Sequence, residues 1–225
     1  MGGPGTAKAG RNRRAGGQDV AARERLLSSA IALFNRKGYA ATTVREIVAD
    51  AGVTKPVLYY YFRNKEGIFL EIMRGAWVQF EALLEAVAGG QESARDRLLR
   101  LADRIFALFM EHIEVARLMY AVYYGPSQGA PFFDFDPYHR RFQEAVRAMV
   151  EDGVRAGEFR KGNADDMAWA IIGAVNVAME LQLCHPEEGI GAPGLARVLD
   201  VIFTGVAKGD AGQRSPGRVV GRRRR

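Results

Sequence analysis

Residues 43–62 read TVREIVADAGVTKPVLYYYF, and this stretch decides the fold. Thr43-Val44-Arg45-Glu46 is a capping box: the threonine hydroxyl and the glutamate carboxylate each satisfy an orphan amide at a helix start. Ile47 and Val48 turn inward, and Ala51-Gly52-Val53 closes the helix in a tight turn. A second helix follows at once, with Thr54 as N-cap and Pro56 tolerated in its first turn. Leu58 and Phe62 lie four apart and point to a core. Two short helices joined through a glycine make a helix-turn-helix, whose second helix is free to enter a major groove.

The outward side of that second helix carries reach and charge. Lys55 and Tyr59 share a stripe, while Thr54, Lys55 and Pro56 occupy the N-terminal tip, where base edges are approached. Lys55 can donate to guanine O6 or N7, and Thr54 can meet a thymine methyl or a phosphate. Tyr59, Tyr60 and Tyr61 are consecutive and cannot all face one core, so at least one hydroxyl faces solvent or phosphate. Tyr60 reads equally as packing or contact. The helix starts at Thr43 and Lys65 would offer amides to phosphates.

Working outward, a helix is expected over 20–37, capped by Asp19, with Leu26, Leu27, Ala30, Ile31 and Phe34 on one face and Gly38 at its end. Asn64 caps a fourth helix over 65–87. Five more are expected near 92–111, 113–124, 137–156, 165–184 and 194–208, with Asp136-Pro137 as an N-cap followed by an N1 proline. The fold class is therefore all-α, with about nine helices. The divisions are 1–18, a disordered basic arm; 19–70, the three-helix DNA-binding unit; 71–208, a helical ligand-binding and dimerisation unit; and 209–225, a disordered basic tail.

Charge follows the same divisions. Residues 1–70 hold 12 Lys/Arg against 5 Asp/Glu, residues 71–211 hold 14 against 21, and residues 212–225 hold 6 against none. A basic front on an acidic body suits a polyanion at the front, although basic tails also aid solubility. Arg11, Arg13 and Arg14 stand close enough to the first helix to reach a minor groove; Arg222 to Arg225 read as a solvated run.

The motifs Ala30-Ile31-Ala32-Leu33-Phe34 with Gly38-Tyr39, Thr42-Thr43-Val44-Arg45-Glu46-Ile47, Ala51 through Phe62, and Asn64-Lys65-Glu66 resemble the DNA-binding domain of the tetracycline-repressor (TetR) family over roughly residues 20–70. The resemblance implies a homodimer that reads palindromic double-stranded operator DNA. It implies DNA contacts at Thr43, Arg45, Thr54, Lys55, Pro56, Tyr59, Tyr61 and Lys65, with phosphates reached by Tyr59, Tyr61 and Lys65 and base choice resting on Arg45, Lys55 and Pro56. It also implies a body that binds a small-molecule effector.

Residues of the body bear on that expectation directly. Leu101, Ile105, Phe106, Phe109, Met110, Leu118, Met119, Tyr120, Tyr123 and Tyr124, with Phe132, Phe133 and Phe135 of the loop and Tyr138 and Phe142 beyond it, are large apolar groups that could line a pocket or fill ordinary core, Phe106, Phe109, Met110, Met119, Tyr120, Tyr123 and Phe142 foremost. Asn176 and Glu180 are polar on an otherwise apolar helix and could face the pocket, a dimer partner or water. Trp169, Ile172, Val175, Leu199, Ile202, Phe203 and Val206 are candidates for a dimer interface on the last two helices, with intramolecular core as the alternative.

Other signals are set aside. Residues 189–194 match G-x-G-x-x-G, but no strand precedes them. Asp134, Asp136 and His139 lack a second ligand pair, so no metal is expected, and no cofactor either. No nucleophile elbow, P-loop or zincin motif is present, which argues against an enzyme with an incidental basic head. One cysteine, no apolar signal segment at 1–19, and an apolar stretch at 167–183 too short to span a bilayer comfortably point to the cytoplasm and no membrane partner. The expected function is a ligand-responsive regulator, a repressor released by a small apolar or aromatic molecule. An activator or a co-ligand-dependent repressor of the same family remains the alternative; a small-molecule binding module or an enzyme with an incidental basic head is a more distant one, and a non-specific architectural binder a third.

Overall fold

The computed structural model describes residues 7–125 and 129–205, with side chains from Val20 onward. The described residues form α1 (Ala7–Lys37), α2 (Val44–Asp50), α3 (Lys55–Phe62), α4 (Lys65–Ala88), α5 (Ala94–Glu111), α6 (Ile113–Tyr124), α7 (Asp136–Ala156), α8 (Ala164–Cys184), a 3-10 turn (Pro186–Glu188) and α9 (Gly191–Thr204), with no strand among them.

Two apolar cores organise these helices. The first joins Leu26, Ala30 and Phe34 of α1, Ile47 and Val48 of α2, Leu58 and Phe62 of α3, and Ile68, Phe69, Ile72 and Met73 of α4. The second joins Leu84 and Val87 of α4 to the buried faces of α5, α7, α8 and α9. Helix α4 thus gives its first half to the head and its second half to the body. Leu118 of α6 is buried in the head core, and Phe133 and Phe135 pack on it, so head and body interlock there too.

The head is fixed by polar contacts that its sequence places well. The Thr42 hydroxyl donates to the carbonyl of Gly38 at 2.8 Å, and the Arg25 Nε–H donates to that of Ala51 at 3.1 Å. Arg23 pairs with Glu71, tying α1 to α4. Gly52, with φ of 64°, closes α2: the Val53 amide donates to the Val48 carbonyl at 2.9 Å and the Gly52 amide to that of Ala49 at 3.3 Å. At Gly67, an added Cβ would lie 1.8 Å from the Phe62 carbonyl oxygen, so only glycine permits the close α3–α4 joint.

Several expected boundaries are corrected. Helix α1 begins at Ala7, so 7–18 are helical where disorder was expected, and Asp19 lies inside the helix instead of capping it. Extending a helix already nucleated by a packed segment avoids the cost of nucleation, and the Ala and Arg residues offset part of the penalty of Gly10, Gly16 and Gly17. Residues 1–6, the arginine side chains at 11, 13 and 14, the tail 209–225 with Arg222 to Arg225, and Val206 lie outside this description. Asp136 is the first residue of α7 and not its cap; the Asp134 carboxylate accepts the Asp136 amide at 3.0 Å instead. Helix α9 starts at Gly191, within the glycine motif, and stops at Thr204, short of the expected 208, because Gly205 turns to φ of 78°. Helix α8 has 21 residues and is long and apolar enough to cross a bilayer, contrary to the expectation of shortness; here Ala168, Ile171, Ile172, Val175 and Ala178 are buried in the body core.

Candidate nucleic-acid interface and effector cavity

Helix α3 is held by one side only. Leu58 and Phe62 are buried, whereas Thr54, Lys55, Pro56, Tyr59 and Tyr60 are exposed, Tyr60 to 77%. Tyr60 is therefore outward-facing and not core, with its ring edge-on to Tyr61 at 4.9 Å. Tyr61 is half-buried against the head core. Thr54 stands at the N-cap, but its hydroxyl makes no cap bond, which leaves that oxygen for an outside partner. Arg45 is exposed on α2.

Thr43 is engaged as its sequence predicts. Its hydroxyl accepts the Glu46 amide at 3.3 Å, and its own amide donates to Glu46 Oε2 at 2.9 Å. The Glu46 carboxylate also accepts from Lys37 Nζ. Lys37 foremost, then Thr43, holds the Glu46 carboxyl down to about 2.

Lys65 is placed differently from the outward phosphate contact that the resemblance implied. Its ammonium donates to the carbonyls of Tyr39 at 2.8 Å, Thr42 at 2.9 Å and Ala40 at 3.5 Å, and lies 4.1 Å from the Tyr39 ring centroid. Partial burial pulls its pKa below the ordinary lysine value. Three carbonyls can take up all three ammonium donors, so this side chain braces the α1–α2 loop from within.

The body holds a cavity of about 200 Å³ among α4, α6, α7 and α8. Met119, Tyr120, Tyr123, Phe142 and Asn176 of the expected residues line it. Phe106 and Phe109 are buried one layer behind, Phe109 edge-on to Tyr120 at 6.4 Å. Met110 is exposed and Glu180 is exposed outside the lining. Trp169 and Ile172, expected at a dimer interface, line the cavity. Phe80, Phe135, Tyr138, His139, Gln143 and Met179 complete most of the wall. Phe135, Tyr138 and Phe142 belong to the aromatic cluster that the sequence offers for a pocket, and the His139–Gln143 spacing could have added its neighbours on α7; nothing in the sequence marks Phe80 on α4 as other than core.

The wall is apolar and uncharged in character: none of the described lining residues is Lys, Arg, Asp or Glu. Burial first, then Tyr124 and Glu180, pushes the Tyr120 hydroxyl up to about 12, so it stays protonated near neutrality. A cavity of roughly 150 Å³ takes a benzene ring, so this space takes about one ring with little to spare.

The dimer candidates separate by burial. Ile172, Val175 and Leu199 are at most 5% exposed and belong to the chain's own core. Phe203 stacks on Phe159 at 5.7 Å and Ile202 packs on the body core. The apolar groups left outside on α8 and α9 are Trp169, Val177, Val198 and Val201. No group of three or more His, Cys, Asp or Glu able to hold a metal occurs among the described residues, Asp134, Asp136 and His139 included.

Residues 26–72 match the model of "Bacterial regulatory proteins, tetR family". The chain is 30% identical over 155 residues to the HTH-type transcriptional repressor KstR2 of Rhodococcus jostii, covering 67% of this chain and 74% of that protein. It is 30% identical over 103 residues to the probable HTH-type transcriptional regulator YttP of Bacillus subtilis, covering 45% of this chain and spanning only half of that protein's length. Among solved structures, the SmeT–triclosan complex superposes with a TM-score of 0.65 at 21% identity, over 82% of this chain and 90% of that one, a likeness of fold.

Proposed function

This chain belongs to the tetR family of bacterial regulatory proteins, and from that premise we propose that it is a ligand-responsive, sequence-specific DNA-binding regulator. The carrying observation is α3: Leu58 and Phe62 anchor it, while Thr54, Lys55, Pro56, Tyr59 and Tyr60 stand clear at one exposed tip. Residues 19–70 serve as the DNA-binding unit and 71–208 as the effector and dimerisation unit. Arg45, Lys55 and Pro56 choose bases; Thr43, Thr54, Tyr59, Tyr60 and Tyr61 serve the backbone. The relatives that match are transcriptional regulators, and the reading is of a regulator in the cytoplasm, not of an enzyme.

In this reading the protein is a repressor released by a small apolar or aromatic molecule in the α4–α8 cavity, and triclosan, which forms a complex with SmeT, serves as a probe. Two copies pair through the exposed side of α8 and α9, around Val177, Val198 and Val201. A palindromic site follows from the two-fold symmetry. Selection from a randomised duplex pool, followed by a salt titration on the winner, tests this. A palindromic consensus with steep salt dependence supports it; uniform weak binding to every duplex overturns it. For release, triclosan is titrated with and without the selected duplex. Equal triclosan affinity in both overturns ligand release.

A further inference from the structure

Helix α7 starts beside the head, and its first turn places Tyr138 where three parts of the molecule meet. The Tyr138 hydroxyl donates to the Met73 carbonyl at 3.1 Å. The same ring lines the cavity and meets Trp77 at 4.5 Å and Phe80 at 5.4 Å, both on α4. Met73 is fully buried in the head core, whereas Leu84, further along α4, is buried in the body core. The bond therefore grips α4 where its allegiance changes from head to body.

We propose that Tyr138 is the positioning residue that transmits occupancy of the cavity to the DNA-binding head, through its hydrogen bond to the Met73 carbonyl. This rests on the reading of the cavity as an effector site. Met119 and Phe135 also touch both the cavity and the head core, but apolar contacts slide with little directional preference. A hydrogen bond at 3.1 Å does not: displacing the ring by about 1 Å carries the pair beyond bonding range. The two states that a ligand chooses between are then bond made, with α4 held, and bond broken, with α4 free to shift. Desolvation pushes the Tyr138 pKa well above the ordinary tyrosine value, so the hydroxyl remains a donor throughout the neutral range.

By reciprocity, duplex binding must alter the cavity if the cavity alters duplex binding, so the test needs no identified effector. The full chain is bound to the selected duplex, and hydrogen exchange is followed in peptides covering residues 171–180, the α8 wall of the cavity. In the wild type, exchange there changes by about fivefold or more on duplex binding. Tyr138→Phe removes one oxygen, keeps the ring, and leaves Met73 in the α4 ladder. It is expected to bind the duplex and to lose the exchange response. Trp77→Leu trims the other ring beside Tyr138, which lies outside the cavity lining, and spares the hydroxyl; it is expected to keep the response. A response retained by Tyr138→Phe overturns the proposal and leaves ligand release standing. Equal loss in both variants also overturns it, since packing and not the hydroxyl would then carry the signal. No response in the wild type overturns both the proposal and ligand release.

Discussion

The Lys65 ammonium sits 4.1 Å from the centroid of the Tyr39 ring while it donates to the Tyr39 carbonyl at 2.8 Å. One residue near the start of α4 thereby closes the loop between α1 and α2. Lys65→Met keeps the stem but strips the Thr42 carbonyl of its donor and leaves the Tyr39 carbonyl only the Thr42 amide, and should cost the head about 1–3 kcal/mol, read in its thermal unfolding. Operator affinity should fall while the slope of log K against log salt stays as it was. A slope lower by about 1 would mean that Lys65 neutralises a phosphate after all.

At the exposed tip of α3, Lys55→Ala should relax the selected consensus at one base pair per half-site, a discrimination of about 1–3 kcal/mol. Tyr59→Phe should instead weaken all duplexes alike by about 1 kcal/mol. Repeating the pool selection with each variant separates the two effects. An unchanged consensus for Lys55→Ala would remove it from base readout.

Glu46 links the head to acid. Its carboxyl is held down to about 2, Lys37 first and Thr43 next, against 4.5 for the ordinary group. The lowered value means that its stabilising effect is complete above about 4.5 and is lost as pH falls towards about 2. Far-UV melting curves should show the head weakening across that window. Glu46→Gln should flatten that part of the profile; an identical acid profile in the variant would show that Glu46 is not its source.

Val177 is 62% exposed on α8, and Val201 is 48% exposed on α9. Val177→Glu with Val201→Glu places unpaired charges in the proposed pairing face, each costing several kcal/mol if buried there. Light scattering should report a monomer, far-UV spectra should be unchanged, and operator affinity should drop by about a hundredfold or more. A dimer surviving both changes would place the interface elsewhere.

Met179→Trp fills the cavity from α8 at a stability cost of about 1–3 kcal/mol. Triclosan affinity should fall by about tenfold or more while duplex affinity holds. Undiminished triclosan binding would mean that this cavity is not its site.

The head was legible because its signals are local. A capping box, a turn glycine, a proline in a first turn and Leu58 with Phe62 at helical spacing each act within a few residues, and each appears in the structure as read. The body was legible only as helices. Ile172 and Trp169 lie three apart on α8 and were grouped as one dimer face, yet one is 5% exposed, the other 56%, and both reach the cavity. An apolar helix with polar breaks can bury more than one side, so periodicity does not say which neighbour each side meets.

Sequence by itself determined the all-α architecture, the helix-turn-helix and its outward tip, because hydrogen bonds and steric limits between near neighbours settle those. The tertiary structure alone decided that Lys65 turns inward, that Phe80 and Met179 wall the cavity, and that Tyr138 holds Met73 across 65 residues. Those facts depend on how α4 divides between two cores, and no local interaction encodes the packing of segments so far apart in the chain.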